Sequence, residues 1–316
     1  ERVHVMKRGS GLRRRGASST VTWAEISGFA IAEVNQGVSN LLATLANLRA
    51  ADLASVLHDL NIKRRAEVAR ALDDERLADL QSMMDDPEIK AILCGRGGYG
   101  TGRILDRLDF TSFCRQPKWI IGFSDITVLQ AHLLSKYNIA SVHGPMANAF
   151  NDGGDAGPYV HSLREVLEGK GTTYTAPAHP FNRSGEASGT LMGGNLALMA
   201  HLVGTVSDLD TRGAILFLED VGEYLYNIDR MMYQLKRSGK LDQLAGLIFG
   251  GFTDCKDTTL PFGQSVEEVL RAHVKEYHYP VCFGFPVSHE AANYALKTGC
   301  TYRLLVQSNE IHLEAK

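Results

Sequence analysis

Cysteine is sparse and shows no pairing pattern. Five residues (Cys94, Cys114, Cys255, Cys282 and Cys300) are scattered over 316, none at C-x-x-C spacing. That argues against a disulfide framework or a thiolate zinc site, and for reduced thiols in a cytoplasmic setting. Charge of one sign is also lacking. A formal net charge of −3 leaves no basic footprint, so nucleic acid is not an expected partner. No apolar run approaches the length of a bilayer span, and a membrane is not expected either. Near the start, Lys7, Arg8, Arg13, Arg14 and Arg15 are basic, yet no apolar core of signal-peptide length follows them. His132, His143, His161, His179 and His201 miss the H-x-x-x-H and H-E-x-x-H spacings of metal sites. No metal is therefore expected.

What is present is ordinary globular composition, 44% hydrophobic and 22% charged, at a length that suggests two domains. Residues 1–38 read poorly, with Val3 and Val5 in a short strand before a loop. Leu41 to Leu60 recur at three- and four-residue steps, and Leu77, Leu80, Met83 and Met84 mark a second helix, stopped by Asp-Asp-Pro at 85–87. From Ile89 onward strands alternate with helices. Strands are expected at 89–94, 119–123, 139–142, 214–218, 244–249 and 280–283, with helices at 101–108, 128–136, 196–203, 227–238 and 265–276. A hairpin closes the chain around Ser308-Asn309. This order implies an α/β fold with a parallel sheet and functional groups at the strand carboxyl ends. The Gly-, Pro- and Thr-rich stretch 151–189 is the candidate linker between a domain at 1–150 and one at 190–316.

Lys118-Trp-Ile-Ile-Gly-Phe-Ser-Asp-Ile-Thr127 organises the rest. An apolar run closed by a turn and followed at once by helical spacing reads as strand, tight turn, helix, with Ser124 at the junction. A serine there is either a helix cap or a nucleophile on an elbow, and the pattern alone leaves both open. A nucleophilic serine needs a base, and the base needs an acceptor to orient it. Two other strand-end residues supply those chemistries, His289 and Glu219. Each has a bland reading as well, a structural histidine and a solvated acidic turn with Asp220 and Glu223. The loop Gly95-Arg-Gly-Gly-Tyr-Gly100 lacks the Lys-Ser/Thr of a phosphate-binding loop. Its backbone N–H groups, with that of Asp125, are candidates for an oxyanion hole, and the alternative is a plain tight strand-to-helix turn. Arg96 is the candidate partner of a substrate carboxylate, with Tyr99 beside it in the substrate-binding set.

The motifs taken together carry more. Ala91-Ile-Leu-Cys-Gly-Arg-Gly-Gly-Tyr-Gly100, Trp119 to Thr127, His143-Gly-Pro145, Gly193-Gly-Asn195, Leu218-Glu-Asp-Val-Gly-Glu223 with Ile228-Asp-Arg230, and Gly284-Phe-Pro-Val-Ser-His289 stand in an order that closely resembles the LD-carboxypeptidases. These are serine peptidases of the muramoyl-tetrapeptide carboxypeptidase family, which includes microcin C immunity-type enzymes. The resemblance runs from about Asp74 to the C-terminus. It implies a triad with Ser124 as nucleophile, His289 as base and Glu219 orienting it, and an oxyanion hole on the backbone of Gly97, Gly98 and Asp125. It further implies a flavodoxin-like N-terminal domain, a smaller β-rich C-terminal α/β domain, a homodimer and no cofactor. The implied reaction removes D-alanine from a murein tetrapeptide in cytoplasmic cell-wall recycling. Two departures stand out: residues 1–72 lack the family's usual opening strand and turn, and Glu290-Ala-Ala-Asn293 replaces a Gly-rich loop after the base. The alternatives are cleavage of an acylated nucleotide-type amide, for which Trp23 and Trp119 supply no evident adenine slot, and a small-molecule-binding α/β protein without turnover.

Overall fold

The computed structural model describes residues 2–7, 17–22, 77–151 and 157–316. The helix expected over Leu41–Leu60 lies outside them. Strands β1 (Arg2–Lys7) and β2 (Ala17–Thr22) pair antiparallel, and residues 77–85 are helical. One four-stranded sheet holds β3 (Ala91–Leu93), β4 (Trp119–Gly122) and β5 (Ser141–His143), all parallel. A larger sheet of seven strands contains β6 (Thr173–Pro177), β7 (Gly185–Asn195), β8 (Ile215–Val221), β9 (Gly246–Thr253) and β10 (Val281–Cys282). Strand β11 (Leu296–Thr298) returns to the first sheet and pairs antiparallel with β5. Strands β12 (Thr301–Val306) and β13 (Glu310–Ala315) complete the second, in the order β10-β9-β8-β7-β12-β13-β6.

The second sheet is half parallel and half antiparallel, and β7 is where it changes. Residues 185–190 pair antiparallel with β12, and 191–195 pair parallel with β8. Parallel strands are covered on both faces and need continuous apolar runs. Ile215, Leu216, Phe217 and Leu218 of β8 accordingly have no exposed surface. The antiparallel part shows alternation instead: in β12, Tyr302, Leu304 and Val306 are buried between partly exposed neighbours. Helix Leu225–Arg237 buries Leu225, Ile228, Met232 and Leu235 at helical spacing.

The stretch 151–189 is not a bare connector. Pro158–Leu167 forms a helix with Pro at its first turn, Thr173–Pro177 forms β6, and β7 begins at Gly185. The strands were hidden because β7 carries glycine at 185, 189, 193 and 194, which lowers strand propensity. Two of these glycines are required by close approach. A Cβ at Gly189 would stand 2.4 Å from the Gly213 carbonyl oxygen, and one at Gly193 would stand 1.9 Å from that of Phe217. Composition that looks like a linker is here the mark of tightly apposed backbones.

Candidate active site

Strand β4 ends at Gly122, Phe123 is extended, and Ser124 sits at φ 61° before the 3₁₀ turn Ser124–Ile126 runs into helix Thr127–Tyr137. A non-glycine residue in the left-handed region carries strain of roughly 1–3 kcal/mol and persists only where its surroundings enforce it. Neither the 3₁₀ turn nor the helix receives a side-chain capping bond. The cap reading of Ser124 is thereby removed. Cys94 nearby is no rival nucleophile, because burial pushes its thiol up to about 12.

The glycine loop lies directly on this turn. A Cβ at Gly97 would stand 2.8 Å from Ser124 Cβ and 2.9 Å from its Oγ, and Gly98 adopts φ 143°. The Asp125 side chain fastens the two segments: its Oδ2 accepts from the Thr101 N–H at 2.9 Å and from the Thr101 hydroxyl at 2.8 Å. Sequence reasoning considered only the backbone of Asp125. Arg96 and Tyr99 lie on the exposed side of the same loop, with Tyr99 77% exposed.

Glu219 ends the apolar run of β8 and is wholly buried. Its Oε2 stands 2.6 Å from His289 Nδ1. His289 reaches this place because β9 presents two glycines to the segment before it. A Cβ at Gly250 would stand 2.2 Å from the Val287 carbonyl oxygen, and one at Gly251 would stand 2.5 Å from Ser288 Cβ. The His289 ring packs edge-on against Phe123 at 4.9 Å between centroids, so the base candidate touches the residue preceding Ser124. Glu219 and His289 thus pair across the chain, and the His289 ring lies against Phe123, the residue before Ser124.

His143 had no assigned role in the sequence. Its ring lies between Phe123 and Phe217, and complete burial pushes it down to about 3, which keeps it neutral beside His289. Asp220, next to Glu219, is pushed up to about 6 by burial. Its carboxylate accepts from Asn195 Nδ2 at 2.8 Å and from the N–H groups of Ala197 and Val221. The motifs Gly193-Gly-Asn195 and Leu218-Glu-Asp signalled these residues without revealing what they touch.

Comparison with known proteins is consistent along the chain. Family models described as the LD-carboxypeptidase N-terminal and C-terminal domains match residues 23–144 and 188–304. A probable murein peptide carboxypeptidase of Bacillus subtilis is 38% identical over 217 residues, 68% of either chain. The chain belongs to the LD-carboxypeptidase family. It is a serine-type hydrolase by that membership. Its fold resembles the crystal structure of muramoyltetrapeptide carboxypeptidase from Oxalobacter formigenes, with a TM-score of 0.70 and 31% identity over 77% of this chain and 83% of that one. The microcin C7 self-immunity protein of Escherichia coli is 27% identical over 65% of this chain and 67% of its own. The N-terminal family match begins at residue 23, well upstream of Asp74, so the resemblance extends further than the motifs did. No helix among the described residues is long and apolar enough to cross a membrane.

Proposed function

We propose that Ser124, His289 and Glu219 are a catalytic triad that cleaves the L,D-amide bond of a murein tetrapeptide and releases its terminal D-alanine. The observation that carries the reading is the 2.6 Å contact between a wholly buried Glu219 and His289, beside a serine held at φ 61°. Glu219 occupies Nδ1 and leaves Nε2 to act on Ser124. Nε2 takes the hydroxyl proton as Oγ attacks the carbonyl carbon of the L-residue. The oxyanion is stabilised by backbone N–H groups of Gly97, Gly98 and Asp125. Collapse breaks the amide, and the imidazolium gives its proton to the leaving D-alanine nitrogen. Water, deprotonated by the same nitrogen, then hydrolyses the acyl-enzyme. A neutral His143 beside His289 supports the step, since a second cation there would oppose the imidazolium.

Arg96 is our candidate for the substrate's terminal carboxylate, with Tyr99 alongside. The reading extends to two domains, the first carrying Ser124 and the second, with β6 and β7 included, carrying Glu219 and His289. We also propose that the enzyme acts in cytoplasmic cell-wall recycling as a homodimer; the murein peptide in its relatives' names supports the substrate class, and the scattered cysteines support a reducing compartment. The test is a mass-spectrometric assay of murein tetrapeptide with the wild-type chain and Ser124→Ala. We expect free D-alanine from the wild type and none above background from the variant. No release by folded wild-type protein sinks this substrate, and acylated nucleotide-type amides come next. Equal release by both proteins sinks the nucleophile.

A further inference from the structure

The two halves of the proposed triad come from different sheets, and something must fix their separation to within a fraction of an ångström. Misplacement by about 1 Å costs on the order of a hundredfold in rate. One buried chain of hydrogen bonds runs between the halves. Thr127, the first residue of the helix after the Ser124 turn, has no exposed surface. Its Oγ1 accepts from the backbone N–H of Asn195 at 3.2 Å. The Asn195 side chain donates through Nδ2 to Asp220 Oδ1 at 2.8 Å, and its Oδ1 accepts from Leu198 N–H at 3.2 Å. The second Asp220 oxygen accepts from Ala197 N–H at 2.9 Å, and Val221 N–H bonds the first at 2.8 Å. Asp220 is covalently next to Glu219, whose carboxylate holds His289.

Steric fit says the same. Gly194 adopts φ 140°, and a Cβ there would meet Thr127 Oγ1 at 2.6 Å and Cγ2 at 2.7 Å. The end of β7 is therefore pressed against the first turn of the elbow helix, and glycine at 194 is what allows it. Asn195 and Asp220 are 6% and 2% exposed, so the bonds form away from water and hold their geometry.

We propose that Thr127, Asn195 and Asp220 form a strut that sets the position of the Ser124 elbow relative to the Glu219–His289 pair. They act as positioning residues and touch no substrate. The inference rests on the triad reading above. Its test is Thr127→Val, which keeps the side-chain shape and removes the acceptor, against Thr127→Ser, which restores it. Two readouts are followed: kcat and KM for D-alanine release, and the rate at which a fluorophosphonate probe labels Ser124. We expect T127V to lower kcat and the labelling rate roughly tenfold or more with KM little changed, and T127S to recover to within about twofold of wild type. Asp220→Asn keeps the volume, gives up one carboxylate acceptor and is expected to show the same split, which serves if T127V does not fold. T127V or D220N proteins with wild-type kcat and labelling rate overturn the strut. So does a folded T127V whose loss T127S fails to recover. A wild-type chain that releases no D-alanine but is labelled at Ser124 counts against the substrate reading alone, and the strut is then judged on labelling rates.

Discussion

At the scale of single residues, the site depends on groups whose ordinary preferences are overridden. Ser124 is held in a backbone region that serine rarely occupies. Glu219 is a carboxylate with no exposed surface, held to one imidazole nitrogen, and a buried charge is tolerable only when so paired. In the proposed triad, burial and pairing make it the orienting group, because its contact with Nδ1 of His289 leaves Nε2 for Ser124. Glu219→Gln keeps the volume and gives up the charge. We expect kcat to fall by about 10²–10⁴ with a much smaller change in KM, as for other triads that lose their carboxylate. Steady-state kinetics on the purified variant would show it, and a kcat within a factor of ten of wild type would remove Glu219 from the triad.

At the scale of elements, glycine positions separate tight packing from mere turn geometry. Gly193 lies in β7 with the Phe217 carbonyl oxygen 1.9 Å from where a Cβ would stand. Gly213 has φ 68° with nothing within 4 Å of such a Cβ. Both would strain an alanine backbone, but only Gly193 would force β7 away from β8. We expect Gly213→Ala to cost about 1–2 kcal/mol and Gly193→Ala to cost about 4 kcal/mol or more. Urea titration of both variants measures the difference, and equal costs would mean that β7 and β8 are not apposed as described. The clamp from Asp125 to Thr101 works at this scale too, since it fixes the glycine loop to the elbow through one short helix.

At the scale of the whole molecule, buried titratable groups set opposing responses to acid. His143 is pushed down to about 3 by burial, so between that value and the usual histidine value of 6.5 the unfolded chain takes up a proton that the folded chain refuses. Stability is lost as pH falls through that range. Asp220 is raised from 3.8 to about 6, so the folded chain takes up its proton first and acidification from 6 to 3.8 adds stability. Thermal denaturation of the wild type should therefore show Tm falling below pH 6.5, with the Asp220 contribution reducing the slope between pH 6 and 4. In Asp220→Asn that contribution is absent, and Tm should fall more steeply with acid over the same interval. A variant slope equal to or shallower than wild type would contradict the raised value at Asp220.

Much of this was legible in the chain itself, and the reason is locality. An apolar run closed by Gly122 shows where β4 ends and puts Ser124 just past it, while the apolar run of β8 stops at Leu218 although the strand continues through Glu219 to Val221; the helix after each follows from three- and four-residue spacing. Motif order along the chain carried the family. What the linear pattern could not carry was anything set by contact between distant segments. Gly185 and Gly189 at the start of β7 look like linker composition until the Gly213 carbonyl is seen against Gly189. Serine at a strand–helix junction is a good cap and a good nucleophile alike, and only φ 61° with no capping bond separates the two. Asn195 is a conspicuous residue whose partners Asp220 and Thr127 lie 25 and 68 positions away. The sequence by itself determined the alternation of strands and helices and the identity of the reactive groups, because hydrophobic periodicity and side-chain chemistry are local properties. The tertiary structure alone decided that Glu219 pairs with His289 and that this pair lies against Phe123, next to Ser124. Their distances depend on how the sheets pack, and packing is a property of the whole chain.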